Sequence, residues 1–297
     1  MTAVRVGLVA ALALAAVACS HAHRTAKNGL IAANWQGQGI FLIDPDSGHR
    51  HPIQHTESAA GLAWAPDGQT IAFDLPAKVL GVDVYTIRSD GSDLQLIARN
   101  AYAPAWSPDG KRLLIERGSK DFRVDLFTVR PDGRGLRHLV RATGDVFSPV
   151  WSPDGKRIAF LGGDGRLNLV DADGEHRRRL AGSFGGHLSW SPDGSHLAFE
   201  LRGEAPNWGD IGVVDLASGE RRNLTHRPGD DSGPAWSPDG KQIAFLADLS
   251  CAFTGTCNPD WQEEGPRELW LMDADGGHLH QLTRDGGFYD DPAWQPR

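Results

Sequence analysis

PAWSPDGK occupies residues 104–111, and nearly the same phrase returns as PVWSPDGK at 149–156 and PAWSPDGK at 234–241. Looser copies read AWAPDG at 63–68 and SWSPDG at 189–194, and a clipped PAWQPR ends the chain at 292–297. Their tryptophans are Trp64, Trp106, Trp151, Trp190, Trp236 and Trp294, with spacings of 42, 45, 39, 46 and 58 residues. A single reaction does not need six copies of one turn, but an array of structural units does. A period of roughly 40–50 residues built from short strands marks a propeller or a related repeat array. Within Ser107-Pro108-Asp109-Gly110 the proline fixes φ at the first corner, the aspartate suits the second, and the glycine takes the left-handed position.

The strand before this hairpin carries the tryptophan, and the strand after it is apolar: RLLIE (112–116), RIAFL (157–161), HLAFE (196–200), QIAFL (242–246). Short runs rich in β-branched and aromatic residues between turn signals favour strands over helices. Each copy then holds a second hairpin, as in 82–97, 124–140, 166–180 and 268–282. One unit is therefore four antiparallel strands, a propeller blade. The last copy lacks an apolar strand after PAWQPR. Three strand-like segments without a first strand, GLIAAN (29–34), GIFLID (39–44) and HRHPIQ (49–54), lie at the other terminus. Joining the two ends completes a sixth blade and removes the open sheet edges of a linear array. The expectation is an all-β, six-bladed propeller of four-stranded blades over residues 29–297, closed by N-terminal strands pairing with the C-terminal strand. The repeated tryptophans and phenylalanines are expected to pack between blades, each contributing ~1.5–3 kcal/mol by burial.

With W-S-P-D-G-K-x-I-A-F and D-A-D-G in hand, the sequence resembles the TolB-type β-propeller repeat family over nearly all of residues 29–297. The resemblance implies an innermost Trp-bearing strand and says little about activity. TolB itself carries an α/β domain before its propeller. About ten residues separate Cys19 from the first strand, so the expectation here is a propeller without that domain. Similar propellers precede the catalytic domain of prolyl-oligopeptidase-type peptidases, but no segment fits their Gly-x-Ser-x-Gly elbow.

Residues 1–18 hold a single charge, Arg5, and an apolar run VGLVAALALAAVA (6–18), too short for a membrane span and suited to a secretory signal. The run ends at Ala16-Val17-Ala18-Cys19, which resembles a lipobox with Ala16 in place of the usual leucine. Cys19 is thus expected to be the lipidated N-terminus, residues 19–28 a tether, and the location extracytoplasmic. Plain secretion after cleavage near Ala18 is the alternative. Outside the cytosol the two remaining cysteines, Cys251 and Cys257, are expected to form a disulfide. A net charge of −8 disfavours nucleic acid as a partner.

Irregular sequence gathers in the loops of one face: 116–123, 200–210 and the insertion 248–268. Phe253, Trp261 and Trp208 in these loops are the expected contacts for a protein or peptide of the cell envelope, bound by a monomer. The stretches approaching the inner strands carry Asp145, His187, Asp230, Asp231, Asp290 and Asp291, expected at the channel mouth. Together these acids could gather a hard cation such as Ca²⁺. No catalytic constellation is present in the sequence, and no resident cofactor is required. A channel-mouth metal-dependent hydrolase or isomerase, and a structural component of envelope assembly, are the alternatives to a binding module. The copies of Asp-Ala-Asp-Gly at 171–174 and 273–276 lack the remaining ligands of a calcium loop and read as turns.

Overall fold

A computed structural model describes residues 28–77, 81–118, 123–141, 145–202, 209–227, 229–248 and 266–297. Among them are twenty-four strands, numbered in chain order, in six four-stranded antiparallel sheets. The inner strands are β4 (Ala60–Trp64), β8 (Tyr102–Trp106), β12 (Val146–Trp151), β16 (Gly185–Trp190), β20 (Asp231–Trp236) and β24 (Tyr289–Trp294). These open blades 1 to 6. Each repeated tryptophan closes its inner strand, and in blades 1 to 5 the Pro-Asp-Gly turn begins there. The second strands are β5 (Thr70–Pro76), β9 (Leu113–Gly118), β13 (Arg157–Gly162), β17 (His196–Arg202), β21 (Gln242–Asp248) and, for blade 6, β1 (Ile31–Trp35).

The turn is built as its composition dictates, with one addition. Gly110, Gly155, Gly194 and Gly240 sit at φ of 68–70°, and the Gly110 N–H donates to the Ser107 carbonyl. The serine hydroxyl is the addition: Ser107 Oγ donates to Asp109 Oδ1 (2.7 Å) and accepts from the Arg112 N–H (3.0 Å), with equivalents at Ser152, Ser191 and Ser237. A carboxylate taking several donors is stabilised in its charged form. Ser191 and Ser195 accordingly bring Asp193 down to about 2.

The ring closes through blade 6. Ile31 pairs with Trp294 and Ala32 with Ala293. Beyond the strand, Gln295 and Leu30 exchange hydrogen bonds, and Arg297 reaches Asn28 at 2.7 Å. The core is distributed over the blade junctions. Trp64 and Phe73 pack with Ala32 and Ile40 between blades 6 and 1, and Trp190 and Phe199 pack with Leu161 and Leu169 between blades 3 and 4. Neighbouring sheets interdigitate their apolar faces, so no blade buries its core alone. Residues 1–27, and with them Cys19, lie outside the described residues, as do Trp208, Cys251, Phe253, Cys257 and Trp261.

Candidate functional site

Every inner strand carries a bulge at the same place. In five blades two residues oppose one on the second strand: pairing passes from Tyr102–Glu116 to Ala105–Leu114, and from Asp290–Asn34 to Ala293–Ala32. The first bulge residue is left-handed in all six blades: Gly61 (φ 63°), Ala103 (49°), Ser148 (53°), Gly186 (25°), Gly233 (59°) and Asp291 (51°). This conformation costs a non-glycine residue about 1–2 kcal/mol, so something must hold Ala103, Ser148 and Asp291 in place. It also turns Gly61, Ala103, Ser148, Gly233 and Asp291 towards the axis, where with His187 of blade 4 they line a channel cavity of 210 Å³.

Carboxylates do the holding. The Ala103 N–H donates to Asp74 Oδ2 (2.9 Å), the Ser148 N–H to Glu116, and the Gly233 N–H to Glu200 Oε1 (2.9 Å). In each case the acid ends the apolar run of the preceding blade's second strand and staples the next blade's bulge. The equivalent position is Leu161 in blade 3, Leu246 in blade 5 and Asn34 in blade 6. Where Asn34 stands, Asp291 takes over and accepts from the Gly61 N–H at 2.8 Å. Burial has a large effect on two of these acids. It pushes Asp74 up to about 6, against the Ala103 N–H and with help from Asp291. It pushes Glu116 up to about 8, against the Ser148 N–H and with help from Asp74. One Glu116 oxygen, Oε1, is buried without a hydrogen-bond partner.

Blade 4 departs from the pattern. Three residues, Gly186, His187 and Leu188, oppose the single Phe199 between the Gly185–Glu200 and Ser189–Ala198 pairs. The additional residue pushes His187 into the channel. Its Nδ1 lies 2.8 Å from Glu200 Oε1, and its Nε2 lies 2.9 Å from Asp291 Oδ1 on blade 6. The imidazole thus spans from blade 4 across to blade 6. Desolvation opposes its charge, but the hydrogen bonds to Asp291 and Glu200, and their charges, hold its pKa well above the ordinary histidine value. Burial likewise opposes ionisation of Glu200 and Asp291, and His187 outweighs it, so both are lowered. Only glycine fits at 186, because a Cβ there would overlap the Glu200 carboxylate.

The six residues expected at the channel mouth therefore separate. His187 and Asp291 line the channel together. Asp231 does not: it precedes the bulge by two positions, faces the neighbouring strands, and is 1% exposed in a bidentate pair with Arg227 (2.7 Å). Arg227 in turn stacks on Trp270 at 4.3 Å. Asp145 accepts from the Val124 N–H (3.1 Å), Asp290 pairs with Arg267 (3.1 Å), and the Asp230 carbonyl accepts from the Asp248 N–H. Four of the five acids that suggested Ca²⁺, Asp145, Asp231, Asp290 and Asp291, thus have separate partners for their carboxylates, while the bond at Asp230 is made by its backbone. Among the described residues no three His, Cys, Asp or Glu side chains converge as a metal-ligand set. With both ring nitrogens donating, His187 has no lone pair to offer a cation. Sequence reading missed Asp74, Glu116 and Glu200, although each stands as the polar residue that ends an apolar second strand.

The channel rim is uneven. Phe147 (44% exposed) and the partly buried Tyr102 occupy matching positions on blades 3 and 2, beside the bulges. Burial first, and then the charges of Glu116 and Asp145, push Tyr102 up to about 12. On blades 4 and 6 the bulges carry His187 and Asp291, with Asp290 at the position matching Tyr102 and paired with Arg267.

Residues 116–252 match the family model described as the TolB beta propeller domain. The crystal structure of TolB from Acinetobacter baumannii superposes with a TM-score of 0.74 at 22% identity, covering 91% of this chain and 67% of that one. The chain has the fold of a TolB-type β-propeller, and residues 116–252 carry the family match. Two curated relatives match shorter stretches. An uncharacterized protein of Agrobacterium fabrum, Atu1656, is 31% identical over 107 residues, 36% of this chain and 30% of its own. The uncharacterized peptidase YuxL of Bacillus subtilis is 26% identical over 111 residues, 36% of this chain and 15% of its own. The chain thus spans less than a third of the curated relatives it matches. In this TolB-type propeller the matched segment starts at Glu116 and includes His187 and Glu200, but not Asp74 or Asp291.

Proposed function

We propose that the protein is an extracytoplasmic propeller, tethered by a lipid on Cys19, that binds a protein or peptide of the cell envelope and performs no chemistry on it. The observation that carries this reading is the two-sided channel rim, with an aromatic half at Tyr102 and Phe147 and a charged half at His187, Asp290 and Asp291. A rim of this kind suits a polypeptide segment with an apolar group beside polar or cationic ones. The described strand ends at Gly118, Arg202 and Asp248 lie on the side of the ring where the inner strands start. Variable loops on a rigid scaffold commonly carry binding. A disulfide between Cys251 and Cys257 would lower the ordering cost of presenting Phe253 and Trp261.

The tether supports the same orientation. Asn28 is bonded to Arg297, and Gln295 reaches the Gly68 carbonyl at 2.6 Å, so the chain enters the propeller on the face of the Pro-Asp-Gly turns. An anchor at Cys19 then directs the channel rim away from the membrane. The test is site-directed photo-crosslinking in the native envelope. A photoreactive residue at position 147 is expected to trap the same partner as one at position 253, while one at position 132, on the opposite face, does not. Equal products at all three positions would remove the reading. Mass spectrometry of the purified protein is expected to show a diacyl or triacyl modification on Cys19 and a mass two hydrogens lower for the segment holding Cys251 and Cys257.

A further inference from the structure

The repeated tryptophans are not equivalent. Trp64, Trp190 and Trp294 are buried, and their indole N–H groups donate to the Ala293, Val150 and Ala235 carbonyls of the preceding blade. Trp106, Trp151 and Trp236 are partly exposed, and their indole nitrogens have no hydrogen-bond partner among the described residues. Two of these three floor clefts on the turn face, opposite the channel rim. The first, of 580 Å³ between blades 2 and 3, presents Trp151, Asp109, Asp154, Asp173, Arg112 and Arg137. The second, of 460 Å³ between blades 4 and 5, presents Trp236, Asp193, Asp239, Asp275, His196 and Arg222.

The groove between blades 3 and 4 shows what such a cleft accommodates. There Arg157 of the chain itself lies over the Trp190 ring at 5.2 Å and donates to the Gly194 carbonyl. The residues matching Arg157 are Arg112 in the first cleft and His196 in the second. His196 turns instead to Ser195 (2.6 Å) and Asp215 (3.6 Å). Among the described residues no cation lies over the Trp151 or Trp236 ring. Each cleft also has an acid that the filled groove lacks. Asp173 and Asp275 come from the Asp-Ala-Asp-Gly turns of blades 3 and 5, whereas blade 4 reads Asp215-Leu216-Ala217-Ser218 at the same place. In both clefts the aspartates use Oδ1 for turn N–H groups, as Asp173 does for Glu175 and Asp275 for Gly277. Oδ2 of Asp109 and of Asp239 lies near Lys111 (3.5 Å) and Arg297 (3.9 Å), whereas among the described residues Oδ2 of Asp173 and of Asp275 has no hydrogen bond or ion pair.

We propose that these two clefts are docking sites for arginine side chains of a partner protein, each guanidinium stacking on the partly exposed indole of Trp151 or Trp236 and pairing with Asp173 or Asp275. A guanidinium combines planar stacking with forked donation to a carboxylate, which an ammonium does not match. Of these acids Asp239 already has Arg297 at 3.9 Å and Asp109 has Lys111 at 3.5 Å, so the incoming guanidinium pairs with Asp275 in one cleft and Asp173 in the other. This surface is distinct from the channel rim and does not depend on the function proposed for that rim.

The test uses the propeller labelled with ¹⁵N at tryptophan and titrated with the peptide acetyl-Gly-Arg-Gly-amide. The indole N–H signals of Trp236 and Trp151 are expected to shift saturably in the millimolar range, while that of Trp190 stays still. Asp275→Asn is expected to weaken the Trp236 site at least fivefold and leave the Trp151 site unchanged, and Asp173→Asn the reverse. Both asparagines retain the turn-capping oxygen, so the fold is preserved and the unaltered cleft serves as a control. The citrulline peptide is expected to produce no shift. Equal shifts with citrulline, a response at Trp190, no response up to 50 mM (about 2 kcal/mol of binding), or a shift with tri-N-acetylchitotriose in place of the arginine peptide would each overturn the proposal.

Discussion

Replacing Glu116 with glutamine tests the account of the carboxylate staples through its dependence on pH. Glu116 is 2% exposed, and burial raises its pKa from 4.5 to about 8. Between those two values the folded chain keeps a proton that the unfolded chain has lost. Stability therefore falls as pH rises through this window. A shift of roughly 3.5 units at about 1.4 kcal/mol per unit sets a ceiling of ~5 kcal/mol, all of it expressed above pH 8. Glutamine cannot ionise, yet its oxygen still accepts the Ser148 N–H. The variant is thus expected to match the wild type within ~1 kcal/mol at pH 5 and to exceed it by several kcal/mol at pH 8.5. Urea unfolding followed by tryptophan fluorescence, at half-unit steps from pH 5 to 8.5, measures the difference directly. Asp74 titrates near 6 in both proteins and cancels to first order. A difference that stays constant with pH would refute the reasoning, because it would place Glu116 in contact with water in the folded state.

Other expectations follow from the same geometry. His187, held above its ordinary value by Asp291 and Glu200, is expected to remain protonated at pH 7.5 in an NMR titration of its ring carbons. Its contribution is complete below the unfolded histidine value of about 6.5 and is lost as pH rises through the folded value, whereas those of Glu200 and Asp291 are lost on acidification. Because the ring is half exposed, His187→Asn is expected to cost only ~1–2 kcal/mol near pH 6, and less above the folded pKa. Gly186→Ala should displace the Glu200 carboxylate and release the Gly233 N–H, lowering the melting temperature by several degrees (a loss of about 2 kcal/mol or more), and a variant as stable as wild type would contradict the tight fit. Trp294→Ala removes an indole packed between blades 5 and 6 and its bond to Ala235, with an expected loss of ~3–5 kcal/mol by denaturant titration and faster hydrogen exchange in residues 31–43.

The blade count, strand order and closure were legible because they are local and repeated. The Pro-Asp-Gly turn sets a hairpin wherever it stands, and a missing strand at one terminus matched an unpaired set at the other. The channel was only partly legible. His187 stood out at an approach to an inner strand, and the sequence even holds the cause of its placement: Trp190 stands five positions after Gly185, whereas Trp236 stands four after Ser232. That difference gains meaning only once the bulge is known. Asp231 and Asp230 were adjacent acids in one stretch, and nothing in their spacing indicated that one would turn inward to Arg227.

By itself the sequence determined a six-bladed all-β ring, since turn chemistry and alternating burial act over a few residues and recur in every copy. The tertiary structure decided which side chains meet across that ring. His187 and Asp291 are 104 positions apart and touch only because blades 4 and 6 face a common axis. The burial that raises Glu116, and the exposure that separates Trp151 and Trp236 from Trp190, also depend on the neighbouring blade. Desolvation and long-range pairing are properties of the assembled ring, and identical local motifs acquire different chemistry within it.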